Sequence, residues 1–108
     1  MAASARPYKL VYDADVRGQV GMIERKFHSL IRRQIEARLR QEPETETRKR
    51  KPLARPSALG VVWELRFGPD NRFRVFYRTD HARRQVHVLA VGVKVKERLI
   101  IGREEFRL

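Results

Sequence analysis

WELRFGPDNRFRVFY, residues Trp63 to Tyr77, reads as two strands joined by a tight turn. In an extended chain side chains alternate between faces. Trp63, Leu65 and Phe67 therefore share one side of the first strand, and Val62, Glu64 and Arg66 the other. On the second strand Phe73, Val75 and Tyr77 oppose Arg74, Phe76 and Arg78. Between them Gly68, Pro69, Asp70 and Asn71 carry turn chemistry: Gly and Asn tolerate positive φ, and Pro presets its own. If both apolar sets face one core, Glu64, Arg66, Arg74 and Arg78 line the opposite face. Two readings of that face stay open. Either the arginines are held rigidly where a phosphate can reach them, or they solubilise the outside of a half-buried hairpin.

Outward from the hairpin the chain is legible. Tyr8–Tyr12 predicts a first strand, with Asp13 or Asp15 as a helix cap. A short helix over Val16–Val20 follows, loosened by Gly18 and Gly21. From Ile23 to Leu39 the apolar residues Ile23, Phe27, Leu30, Ile31, Ile35 and Leu39 recur at spacings of three and four, one face of a helix; Pro43 ends it. Residues 43–56 read as a basic linker loop. A third strand, Gln85–Val93, is apolar on both faces and belongs in the middle of the sheet. The tail offers a strand at Leu99–Ile101, a turn at Gly102 and an acidic-aromatic end. The expected fold is α+β, in the order β-α-α-β-β-β with or without a last strand: two N-terminal helices on one face of a mainly antiparallel sheet. It forms a single domain over residues 1–108, with a flexible start at 1–6.

Charge narrows the partner. The 108 residues hold 25 Lys+Arg against 13 Asp+Glu, a net charge of +12, the footprint of a protein that meets a polyanion. Nucleic acid leads. A membrane surface is the rival, but the basic residues sit partly on strands rather than along one amphipathic helix, and no apolar run is long enough to span a bilayer. There is no cysteine, which removes disulfides, thiolate nucleophiles and cysteine metal sites. The His, Asp and Glu residues lack metal-ligand spacing, so no metal or other cofactor is expected. The opening MAASARP has no apolar segment of signal-peptide length, which points to a cytoplasmic protein.

Individual residues carry a bland reading beside the functional one. His28 and His87 read as packed or surface residues and His81 as a solvated turn residue. Glu64 beside Arg66 is either an ion pair or a general base in a cationic pocket. Tyr77 falls on the core side with Phe73 and Val75. The run Arg48, Lys49, Arg50, Lys51 is either a solvated linker or a loop that grips phosphates.

Three strings together carry a family resemblance: ETRKRKPL at Glu46–Leu53, WELRFGPDNRFRVFY, and HVLAVGVK ending at Lys94. The chain resembles the RelE/ParE superfamily of toxins from type II toxin–antitoxin systems, and specifically a RelE-like translational repressor. The resemblance implies an mRNA interferase, a metal-independent endoribonuclease that acts on mRNA at the ribosome. A ribose 2′-hydroxyl attacks the adjacent phosphate and leaves a cyclic phosphate, with cations stabilising the phosphorane. By position the family's catalytic residues fall on Arg74, Arg66 and Lys94 or Lys96. Arg48, Lys49, Arg50, Lys51, Arg78, Lys96 and Arg98 are the implied RNA contacts. Two departures stand out: Glu64 occupies a position where the family has lysine, and Ile100 or Ile101 the place of a tail tyrosine. The implied protein partner is a cognate antitoxin covering Arg66, Arg74 and Lys94. A ParE-like gyrase poison and a non-catalytic RNA-binding module on the same scaffold are the alternatives.

Overall fold

The Trp63–Tyr77 stretch is an antiparallel hairpin in the computed structural model, which describes residues 6–54 and 60–107. Its strands are members of one seven-stranded sheet: β1 Lys9–Tyr12, β2 Arg50–Pro52, β3 Trp63–Phe67, β4 Phe73–Asp80, β5 Gln85–Val95, β6 Arg98–Ile101 and β7 Glu104–Arg107. The spatial order is β2-β3-β4-β5-β6-β7, every pair antiparallel, with β1 alone running parallel beside β5. Two helices, α1 Val16–Gly21 and α2 His28–Leu39, complete the α+β fold. β5 is the central strand its two apolar faces predict. One edge pairs with β4 from Gln85 to Val93 apart from a bulge at Leu89; the other pairs with β1 over its first residues and β6 over its last. In the interval α1 covers that edge, and the Gln19 side-chain oxygen accepts the Val91 N–H at 2.9 Å.

The core lies between α2 and one sheet face. Ile31, Ile35 and Leu39 from the helix stripe meet Leu65, Phe67, Phe73, Val75, Tyr77, Val86, Val88 and Val91. Burying each large apolar side chain contributes about 1.5–3 kcal/mol, so the helical spacing and the strand alternation together select this face. The turn at 68–71 uses its residues as expected. Gly68 has φ +86°, and a Cβ there would collide with the Phe73 ring. Asp70 and Asn71 are also left-handed, a conformation Asn and Asp accept more readily than most residues.

The helix stripe starts later than its periodicity suggests. Residues 25–27 form a 3₁₀ turn, and α2 begins at His28, whose Nε2 lies 2.8 Å from the Ile23 carbonyl oxygen. Glu24 is extended at φ −50°, ψ 131°, so Ile23 packs on the core from outside the helix. The expected linker is also not a uniform loop. Arg50–Pro52 pairs with β3, and before it Glu44 is tied to β4: Thr79 Oγ1 donates to Glu44 Oε2 at 2.6 Å, and His81 Nε2 lies 2.5 Å from Oε1. His81 also meets Tyr8 Oη through Nδ1 at 3.1 Å, so this turn histidine is bonded twice although exposed. Residues 55–56 of the linker and 1–5 of the expected flexible start lie outside the described residues. The acidic-aromatic tail, read only as an end, pairs as β7. Among the described residues no helix is long and apolar enough to cross a membrane.

Candidate nucleic-acid interface

Arg66, Arg74 and Gly92 stand directly opposite one another on β3, β4 and β5, and residues so paired share a face. The face is the one turned away from α2, because Leu65, Phe67, Phe73 and Val75 fill the other. Glu64 sits one position along the same face of β3 and joins the two arginines. Its Oε1 accepts from Arg66 Nε at 3.0 Å and its Oε2 from Arg74 Nη1 at 3.2 Å. Arg74 is also held by the Asn71 carbonyl oxygen, which accepts from its Nε at 3.1 Å. The environments differ: Arg74 is 4% exposed and Glu64 9%, whereas the Arg66 side chain is 44% exposed. The structure thus makes Glu64 a buried bridge between one sheltered and one open guanidinium, not a surface ion pair.

Gly92 lets the tail approach this row. A Cβ there would lie 2.8 Å from Ile101 Cγ1 and 2.9 Å from the Ile100 carbonyl oxygen. Ile101, in the region where the family resemblance expects a tyrosine, therefore packs over Gly92 beside Arg74 and supplies an apolar wall with no proton to give.

The other basic residues fall into separate settings. Lys94 and Lys96, both exposed, line a cavity of about 420 Å³ with Asp70 and Arg72, and the Lys94 N–H donates to the Arg72 carbonyl oxygen at 2.6 Å. Arg98 is paired with Glu105 at 3.0 Å. Arg78 lies farther along the Arg74 face of β4, opposite His87. Arg48, Lys49 and Lys51 are exposed at the β2 edge. Arg50 needs a correction to the phosphate-gripping expectation. It is 7% exposed; Nη1 donates to the Glu42 and Thr45 carbonyl oxygens at 2.7 and 3.2 Å, and Nη2 to the Arg38 carbonyl oxygen at 2.6 Å. Both terminal nitrogens of this guanidinium are committed to backbone.

Tyr77 is fully buried and donates its hydroxyl to the Pro43 carbonyl oxygen at 2.5 Å. Burial pushes its pKa well up, with Glu44 adding to the rise and Arg50 opposing it. It is a structural residue. Tyr12, half exposed, is raised more modestly by burial and Glu36 against the pull of Arg32. The sequence offered no sign of the Ile101–Gly92 packing or of the Arg50 anchor, since both join segments far apart in the chain.

No protein-family model matches the sequence, and no curated protein matches it either. Among solved structures, the chain is similar to one in the crystal structure of the toxin–antitoxin complex RelBE2 from Mycobacterium tuberculosis. The two share 23% identity with a TM-score of 0.68, over 84% of this chain and 95% of the other. Helix placement, the mainly antiparallel sheet and this likeness agree: this chain has the same α+β fold as the matched chain of that complex.

Proposed function

We propose that this protein is the toxin of a type II toxin–antitoxin pair and an mRNA interferase, arresting translation by cutting mRNA at the ribosome. The observation that carries the reading is the Arg66–Glu64–Arg74 bridge on rigid paired strands, with exposed Lys94 on the neighbouring strand β5 and a net charge of +12 behind it. Guanidinium groups held beside a phosphorane stabilise the charge that develops on it. The scissile phosphate competes with Glu64 for Arg66 and Arg74 and draws them off the carboxylate. Glu64 then takes the 2′-hydroxyl proton as the O2′–P bond forms, and Lys94 gives a proton to the leaving 5′ oxygen as the P–O5′ bond breaks. Arg48, Lys49, Lys51 and Lys96 steer the RNA. Arg50 is left out because its terminal nitrogens are bonded to carbonyls.

The RelBE2 structure is a toxin–antitoxin complex, which supports a cognate antitoxin as this chain's partner, lying over Arg66, Arg74 and Lys94.

A second reading has its own observation. Ile101 over Gly92 and Glu64 between the arginines suit a module that grips RNA without cutting it. Translation in a cell-free system, with primer extension on the mRNA, separates the two. The wild type is expected to stop translation and leave discrete cuts, with cutting reduced a hundredfold or more in Arg74→Ala and partly kept in Arg74→Lys, consistent with about 2.7–4 kcal/mol for a fixed charge-stabilising donor. Arrest without cuts would replace the nuclease with the binding module.

A further inference from the structure

We propose that the far end of the same sheet face holds a subsite for one unstacked keto nucleobase, guanine or uracil, walled by Arg78, His87 and Asp13. The proposal rests on the RNA reading above and extends it. A cavity of about 290 Å³ opens there, lined by Tyr12, Asp13, Arg78, His87 and Leu89 among others. Arg78 shares a strand face with Arg74 four residues away, about 13 Å at ~3.3 Å per residue. A strand of RNA whose phosphate meets Arg74 can therefore place a neighbouring base at Arg78.

The site is made by a β-bulge. Phe76 pairs with Ala90, but Tyr77 pairs with Val88, so Leu89 is left over. Without it Arg78 would oppose Val88, and His87 would point to the helical side. With it the alternation of β5 changes phase: Val88 is fully buried in the core and His87 stands opposite Arg78 and, across β1, Val11. Bulges of this kind re-aim a side chain. Two nitrogens of this pair lack partners. Arg78 Nε and His87 Nε2 are both buried and have no hydrogen-bond partner among the described residues. Buried polar nitrogens in native folds are normally satisfied, and both of these belong to residues that line the cavity.

The wall chemistry selects the occupant. Arg78 has only donors and suits a keto oxygen; Asp13 accepts the ring N–H that lies beside that oxygen in guanine and uracil. Adenine and cytosine put an amino group where the keto oxygen would be, and Arg78 cannot accept from it. A bare phosphate would be repelled by the Asp13 carboxylate.

The test is binding by NMR on the labelled full chain, titrated with GMP, UMP, AMP, CMP and inorganic phosphate. The expected result is movement of the His87 ring and Leu89 amide signals with GMP and UMP, at affinities roughly fivefold or more above AMP and CMP. Arg78→Gln and Asp13→Asn should each bring that ratio toward one; Asp13 is exposed, so its variant keeps the test alive if Arg78→Gln does not fold. Equal movement with inorganic phosphate, no movement with any nucleotide, or a ratio unchanged in Asp13→Asn would each overturn the subsite. Because no turnover is read, a base-selective protein that cuts nothing defeats the nuclease reading alone, and a nuclease without base-dependent shifts defeats the subsite alone.

Discussion

Arg50 Nη2 donates to the carbonyl oxygen of Arg38 at 2.6 Å, joining the first residue of β2 to the last turn of α2. The free carbonyls of a helix C-terminus carry partial negative charge, so a buried guanidinium there satisfies the backbone and the dipole together. Nη1 binds the Glu42 and Thr45 carbonyls as well. Arg50→Ala is therefore expected to lower stability by about 2–5 kcal/mol in chemical denaturation, whereas exposed Arg48→Ala changes it by no more than about 0.5 kcal/mol. Equal effects of the two would remove the anchor.

Tyr77 and Pro43 hold the start of the same loop. Tyr77→Phe leaves a buried carbonyl oxygen without its donor and should cost about 1–3 kcal/mol. The pH dependence has a definite sign. The folded-state pKa of Tyr77 lies above its ordinary value of 10.0, so above that pH the unfolded chain loses the tyrosine proton while the native one keeps it. Stability from this group is complete below about pH 10 and falls as pH rises beyond it, by up to ~1.4 kcal/mol per pH unit. The difference in unfolding free energy between wild type and Tyr77→Phe, followed from pH 9 upward, should shrink; a constant difference would contradict the assignment.

Glu64→Gln keeps the shape of the bridge and removes its charge. If Glu64 takes the 2′ proton, cleavage falls by about a hundredfold or more while RNA binding does not weaken, because Arg66 and Arg74 no longer have an internal anion to leave. Cleavage kinetics and a filter-binding isotherm on the same RNA read both quantities. Full cleavage in Glu64→Gln would leave it an aligning group only.

Replacing Arg48, Lys49 and Lys51 by Ser, with Arg50 retained, should weaken RNA association and flatten its salt dependence. Each phosphate of a single strand that the protein ceases to neutralise takes about 0.7 units off the log–log slope, so removing three cations that each meet a phosphate takes off roughly two units. An unchanged slope would mean that the exposed basic edge never meets the backbone of RNA.

Local pattern and distant pairing divide this fold unevenly. The 63–77 hairpin, the Ile31–Ile35–Leu39 stripe and the central position of β5 are legible because each depends on a period of 2 or 3.6 within a dozen residues. The 3₁₀ turn before α2 is not, since the apolar spacing runs on through Glu24 although the backbone there is extended. β2 and β7 are too short and too charged to announce themselves; they exist because a neighbouring strand offers unpaired N–H and C=O groups.

The candidate site divides in the same way. Sequence alone determined that Glu64, Arg66, Arg74 and Arg78 share one face, because alternation is a property of any extended chain. Only the tertiary structure decided what each does there. It buries Arg74 against Glu64, seats Ile101 over Gly92, uses the Leu89 bulge to turn His87 toward Arg78, and commits Arg50 to helix and loop carbonyls while its neighbours stay exposed. Four adjacent basic residues look alike in one dimension; the low-dielectric interior separates them, because a buried charge persists only where partners meet it, and those partners come from segments that only the closed fold brings within reach.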